Sequence, residues 1–460
     1  MRTWSLFSPS TNVTSNNSYR YDYRIESYFG RLAYDYADKY YFEGTWRTDG
    51  SSRFHKDYRW GQFWSVGASW RISEENFMKN VSWIDNMTAR LSYGQLGNDA
   101  LDSYYAWQSF YDLTWANASN PGALVSSLEN TEVSWEKKGT WNAGIEATMF
   151  DRFLSFSVEY YNSKTHDMLL EYPLPLSTGF SGYDANIGSM SNQGFEATFN
   201  FNWADRKNFS ARSKVMLYKN WNKVLALTKD DKITSGYQVI EVGKPIYTYY
   251  MPKNAGVDPA TGAQLYWAYK TDEETGEKIE GSDFITSNKT LATNSRYYMG
   301  SREPDLQGSF ASDFRFGPVD FSFLTTFSIG GKTYDSLYAG LMEVTYTGDT
   351  WSKNVLRRWQ KPGDVTDVPA VMVNSGRLGT DRNLIDASYF AIKSVQLGYT
   401  LPEKWTKAAR IKALRIFVNA DNVAMFNHLN GLNVQYNFAG GTGYTYTPTR
   451  VMSCGIDINF

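Results

Sequence analysis

The chain has 460 residues and a net charge of −2, with 46 Lys and Arg against 48 Asp and Glu, so it carries no electrostatic footprint for nucleic acid. A single cysteine, Cys454, excludes an intramolecular disulfide, and His55, His166 and His428 stand far apart without ligand-like companions. Aromatic residues reach 17 % while mean hydropathy is only −0.48, and no apolar run attains the roughly 18 residues of a transmembrane helix.

The chain opens Met1-Arg2-Thr3-Trp4-Ser5-Leu6-Phe7-Ser8-Pro9, which lacks the continuous apolar stretch of a secretory signal. The next elements show hydrophobicity of period two, the mark of strands with one apolar face. Trp64, Val66, Ala68, Trp70 and Ile72 alternate with Ser65, Gly67, Ser69 and Arg71. Leu154, Phe156, Val158 and Tyr160 alternate with Ser155, Ser157 and Glu159. Phe195, Ala197, Phe199, Phe201 and Trp203 oppose Glu196, Thr198, Asn200 and Asn202. Phe321, Phe323, Thr325 and Phe327 follow the same rule, as do Leu414, Ile416, Val418 and Ala420. On the polar side of that last segment, Arg415, Asn419 and Asp421 are joined by one aromatic residue, Phe417. The final strand places Met452, Cys454, Ile456, Ile458 and Phe460 on one face.

Links between these segments alternate in length. Asp151-Arg152, Asp205-Arg206-Lys207 and Gly317-Pro318 are short, whereas long loops are expected at about 99–139, 162–191, 220–304, 329–388 and 426–448. Placing every short link on one side puts every long one on the other, which is the arrangement of an outer-membrane barrel with long loops outside. The expected fold is therefore all-β, a transmembrane antiparallel β-barrel of about 13 or 14 strands in this chain, with its carboxy terminus in the periplasm. Such a barrel must be exported, so Met1 is expected not to be the natural start of a complete protein. The terminal Phe460, ending an alternating strand, is the expected barrel-assembly signal.

Candidate chemical motifs fail on inspection. Gly330-Gly331-Lys332-Thr333 resembles the tail of a P-loop, but the required earlier glycine is Thr326. Gly440-Gly441-Thr442-Gly443 lacks a strand-to-helix setting, and Asp272, Glu273, Glu274, Glu277 and Glu280 read as a solvated loop. Asp49-Gly50 reads as a turn dipeptide. No nucleophile and base are grouped as catalysis would require, so neither enzymatic activity nor a cofactor is expected. Most aromatics suit membrane-interface girdles. Phe417, Tyr444 and Tyr446 are the candidates for contact with a substrate.

Several stretches in fixed order resemble the SusC/RagA class of TonB-dependent outer-membrane transporters. They are Arg47-Thr48-Asp49-Gly50-Ser51-Ser52-Arg53-Phe54, Trp60-Gly61, Phe63-Trp64-Ser65-Val66, and Ser69-Trp70-Arg71-Ile72-Ser73-Glu74-Glu75-Asn76-Phe77. Arg90-Leu91-Ser92-Tyr93-Gly94-Gln95-Leu96-Gly97-Asn98 follows, then Asn186-Ile187-Gly188-Ser189-Met190-Ser191-Asn192-Gln193-Gly194-Phe195-Glu196. Arg358-Trp359 with Pro362-Gly363-Asp364, Ser388-Tyr389-Phe390, Leu397-Gly398-Tyr399-Thr400-Leu401-Pro402 and Tyr446-Thr447-Pro448-Thr449-Arg450 complete the set. Trp64 departs from the class, which usually has proline there.

The resemblance covers nearly the whole chain. It implies the carboxy-terminal part of a barrel of about 22 strands, with no plug domain in this chain. It also implies import of oligosaccharides or oligopeptides, a SusD-like surface lipoprotein as partner, and energy supplied through TonB by way of an amino-terminal part. The alternative is a structural or adhesive barrel without transport. A barrel enzyme, such as a phospholipase or protease, would need a clustered nucleophile and base that the sequence does not offer.

Overall fold

The computed structural model describes residues 20–117, 120–227, 232–343, 350–371, 378–407, 410–428, 433–435 and 448–460. One antiparallel sheet of 13 strands forms the wall. Its strands are β1 (Ile25–Tyr36), β2 (Tyr40–Ser51), β3 (Trp60–Arg71), β4 (Ile84–Asn98), β5 (Glu136–Met149), β6 (Leu154–His166) and β7 (Ser189–Arg206), followed by β8 (Phe209–Ala226), β9 (Leu306–Phe316), β10 (Val319–Ile329), β11 (Tyr389–Thr400), β12 (Ala413–Asn427) and β13 (Val451–Asn459). Each strand pairs with its neighbours in sequence, so the wall is a meander. Among the described residues, the outer edges of β1 and β13 have no strand partner.

Cross-strand register sorts the side chains into two faces. Opposed residues share a face, so Leu32–Gly44–Val66–Tyr93–Trp141 runs across five strands on one side. That side continues through Val158, Ala197, Leu217, Gly308 and Phe327. Between its rims the charged side chain on this face among the described residues is Lys219, which stands opposite Phe195 within one aromatic belt. The residues of this face are bare nonetheless: Leu32 is 76 % exposed, Val418 53 % and Ile456 61 %. An apolar band of this extent is stable against hydrocarbon, not against water. The one polar pair within it, Ser213 and Ser312, is buried, and the two hydroxyls satisfy each other at 2.8 Å while Trp203 Nε1 donates to Ser213 at 3.0 Å.

Aromatic rings border the band at both ends. Trp64–Tyr93, Tyr93–Trp141 and Phe195–Trp221 lie toward one rim, at centroid distances of 5.2, 4.8 and 6.1 Å. Trp83–Phe150, Phe153–Trp203 and Phe209–Phe316 lie toward the other, at 5.8, 5.3 and 5.0 Å. Two such belts fit the polar–apolar boundaries of a bilayer. Trp64 therefore belongs to a girdle.

Connections at one rim are compact: 37–39, 72–83, 150–153, 207–208, 317–318 and 401–412. In the 150–153 turn, Phe150, Asp151 and Arg152 all adopt left-handed φ of 54° to 66°, held by the Arg152 N–H donating to Asp85 at 2.9 Å. At the opposite rim lie 52–59 and the long connections 99–135, 167–188, 227–305, 330–388 and 428–450.

Asp49-Gly50 is not a turn. Both residues are rungs of β2, paired with Ser27 and Glu26 on one side and with Gly61 and Trp60 on the other. Glycine suits the position because a Cβ on Gly50 would crowd the Trp60 ring at 3.0 Å.

Candidate functional site

Several of the family-like motifs lie at the bases of the long loops, where they act as fasteners, while 69–77 and 397–402 lie at the compact rim. Ser51 Oγ donates to Asp99 at 2.6 Å, and Arg53 donates to the carbonyls of Asp99 and Leu101 at 3.0 and 2.8 Å. Phe54, Phe63, Leu101, Val133 and Trp135 form a buried core beneath these loops. The Asn186 side chain accepts from Ser134 N at 2.7 Å and donates to the Ser134 and Asp167 carbonyls.

The polar face of the wall is laced by ion pairs. Arg31 meets Glu43 at 2.9 Å, Arg90 meets Glu146 at 2.6 Å, and Arg415 joins Asp320 and Asp457. Phe417 lies on this face. The Arg415 guanidinium stands 4.9 Å from its ring centroid, and the ring covers Gly455, where a Cβ would come within 2.5 Å. Phe460 follows β13 in the register of Ile456 and Ile458 and is 72 % exposed. Tyr444 and Tyr446 lie outside the described residues, as does Gly440-Gly441-Thr442-Gly443.

Two long connections form a canopy over the rim. Segment 227–305 folds into its own sheet, built around Thr248–Val257, Gln264–Ala268 and Arg296–Ser301. Tyr249 and Met251, both fully buried, pack on Tyr334 from segment 330–388. The opposite face of this sheet is wetter: Tyr250 and Tyr298 lie 4.8 Å apart, with Lys232 3.5 Å from the Tyr250 ring and Lys244 4.4 Å from the Tyr298 ring. The stretch from Asp272 to Glu280 lies in an exposed hairpin tip, where Asp272 Oδ1 accepts from the N–H groups of Glu274 and Thr275.

Segments 227–305 and 330–388 are pinned together. Asn254 N donates to Asp381 at 2.6 Å, Trp359 Nε1 to Pro259 O at 2.9 Å, and Ala370 N to Gly262 O at 2.9 Å. Buried Arg302 donates to Val434 O at 2.8 Å, tying in the 428–450 connection. Burial pushes the Asp381 carboxyl up and the Arg382 guanidinium down from their ordinary values. Between the two segments opens a cavity of about 460 Å³ lined by Tyr237, Tyr249, Gln264, Tyr334, Glu343 and Arg382, among others. Aromatic faces beside amide, carboxylate and guanidinium groups suit a polar organic ligand.

Beneath the canopy a hydrogen-bonded cluster spans the polar face of β6 to β8. Asn192 Oδ1 accepts from Asn220 and Asn222 at 3.2 and 2.8 Å. Tyr161 OH donates to Asn220 Oδ1 at 2.8 Å. The Tyr161 ring can lie across β7 only because Gly194 has no Cβ, which would stand 2.6 Å from the hydroxyl. Asn192 and Gly194 belong to the family-like stretch 186–196, whereas no motif marks Tyr161, Asn220 or Asn222. The signal was the pair Asn220 and Asn222, two residues apart on a strand face that turns away from lipid.

Residues 2–423 match the family model described as TonB dependent receptor-like, beta-barrel. The chain is 28 % identical to TonB-dependent receptor P39 of Formosa agariphila, over 93 % of this chain and 45 % of that protein. It is 27 % identical to TonB-dependent receptor SusC of Bacteroides thetaiotaomicron, over 95 % of this chain and 44 % of the relative. A solved structure described as the RagAB peptide transporter superposes with a TM-score of 0.83 at 24 % identity, over 95 % of this chain and 48 % of that one. The chain thus spans about half the length of the relatives it matches.

Proposed function

The chain belongs to the TonB dependent receptor-like β-barrel family, and from that premise we propose that it is wall and canopy of an outer-membrane importer of oligosaccharides or oligopeptides. Barrels of this family are outer-membrane proteins, and the relatives named above are receptors and a transporter. The observation that carries the proposal is the division of the wall: an apolar face bordered by two aromatic belts, backed by a polar face with ion pairs and an amide cluster. A polar lumen inside a lipid-facing wall is a path for a hydrophilic solute.

In this reading the compact rim and the carboxy terminus face the periplasm, and the canopy faces outward. A SusD-like lipoprotein closes over the canopy to capture substrate. TonB, acting through the amino-terminal half of the whole protein, then opens the lumen. Phe417 lines the lower path and Phe460 serves barrel assembly. Uptake of labelled oligopeptides and oligosaccharides by cells making the whole protein, with and without TonB, tests the proposal. Uptake that persists unchanged without TonB would sink it.

A further inference from the structure

Glu303 stands at the rim just before β9, within the amide cluster. Asn222 N donates to its Oε2 at 3.2 Å and Asn220 Nδ2 to its Oε1 at 3.4 Å. Both partners are neutral, and no cation lies within salt-bridge distance among the described residues. Lys219, whose field reaches the carboxylate, directs its ammonium to Pro304 O and Asp305, each at 3.3 Å. Neighbouring Arg302 points elsewhere, into the canopy.

A carboxylate offers about four acceptor sites, and two are filled here. Glu303 lines a hollow of about 250 Å³ together with Tyr218, Asn220, Pro304 and Gln307. Gln307 and Pro304 also line a second, smaller hollow that leads toward Tyr389 and Gln435. The surrounding amides are committed to one another, with Asn222 Oδ1 accepting from Ile246 N at 2.7 Å and Asn220 Oδ1 from Tyr161. They hold the carboxylate in place but do not neutralise it. Burial raises the Glu303 carboxyl above its ordinary value, outweighing the opposing pull of Asn222, Lys219 and Asn220. One carboxylate among amides is too few oxygen ligands for calcium. It suits a single ammonium or guanidinium group, whose donors make charge-assisted bonds.

We propose that Glu303 is a subsite for a cationic group of the imported substrate, which makes that substrate a peptide with a basic side chain or free amino terminus. The proposal rests on the import reading. It is tested on the whole protein, purified from outer membranes, by titrating the amino-acetylated pentapeptides Ala-Ala-Lys-Ala-Ala and Ala-Ala-Gln-Ala-Ala and the neutral oligosaccharide maltohexaose. The lysine peptide should bind about tenfold more tightly than the glutamine peptide, the scale of one hydrogen bond to a charged group. Glu303→Gln should bring the two within about twofold, and Glu303→Asp should keep part of the preference. Heat-modifiable migration on gels confirms that each variant is folded. Equal affinities in the wild type, a preference that survives Glu303→Gln, or binding of maltohexaose alone would overturn the subsite. Parallel uptake assays separate the two readings. TonB-dependent uptake without lysine preference overturns the subsite and leaves import standing, whereas preference with TonB-independent uptake does the reverse.

Discussion

Gly398 of β11 lies directly beneath an ion pair that vaults over it. Arg415 of β12 reaches Asp320 of β10 through Nε–Oδ1 at 2.8 Å and Nη2–Oδ2 at 2.5 Å, and its Nη1 also donates to Asp457 of β13 at 3.0 Å. A Cβ on Gly398 would collide with Asp320 and come within 2.6 Å of Arg415 Nη2. Gly398→Ala must therefore lift the bridge. The side chains of Arg415 and Asp320 are 23 % and 31 % exposed, so solvent screens the pair only in part. Losing two charge-assisted bonds at that exposure costs about 1–2 kcal/mol, between the value for buried pairs and that for surface pairs. A few tenths return because alanine suits a strand better than glycine. Arg415→Leu alone should cost about 1–3 kcal/mol, since Asp320 and Asp457 then face each other uncompensated. Once Arg415 is gone, Gly398→Ala should cost almost nothing. The assay is guanidinium unfolding of the whole protein in detergent micelles, followed by tryptophan fluorescence for the wild type, both single variants and the double variant. Additive losses, with no coupling of at least about 1 kcal/mol, would refute the reasoning.

Three further outcomes are expected. Val158→Lys, on the apolar face, should cost about 2–4 kcal/mol in the same unfolding assay, while Ser157→Lys next to it should cost little; equal effects would reverse the assignment of faces. Gly262 has φ of +73° and its Cβ would stand 2.5 Å from the Trp359 ring, so Gly262→Val should undock segment 330–388 from 227–305 and speed proteolytic nicking of both. Burial, with Tyr250 as neighbour, pushes Tyr269 up to about 12, above its ordinary value of about 10. The unfolded chain loses that proton first as pH rises, so this contribution to canopy stability is whole below pH about 10 and is lost between about 10 and 12. Spectrophotometric titration should show several late phenols in the wild type, since burial also raises Tyr297, Tyr298 and Tyr334, and one fewer in Tyr269→Phe.

The wall was legible because each of its strands meets lipid on one face and a polar lumen on the other, which writes period two into Leu154–Tyr160 and Leu414–Ala420. Strand ends were less clear. β8 runs on to Ala226, where Val224, Leu225 and Ala226 are consecutive apolar residues and alternation fades. The canopy sheet was invisible for the opposite reason: Tyr249, Tyr250 and Met251 are consecutive, with apolar surface on both faces. Asp49-Gly50 misled because its composition suits a turn, whereas glycine there answers to Trp60 across the ladder. Glu303 could not be found from local pattern, since its partners Asn220 and Asn222 lie 83 and 81 residues away in β8 and are themselves held by Tyr161 and Asn192 from two further strands.

The meander has a consequence for how the molecule is built. Every strand pairing of the wall joins strands consecutive within that sheet, so the wall can grow one strand at a time, with loop-closure entropy that rises only slowly with loop length. The clasps from Trp359 to Pro259 and from Arg302 to Val434 instead join residues 100 and 132 positions apart. Such distant contacts cannot form until the intervening strands are set side by side. The canopy is thus the last part to mature, and Trp359 should stay open to protease during assembly after the barrel strands have become resistant.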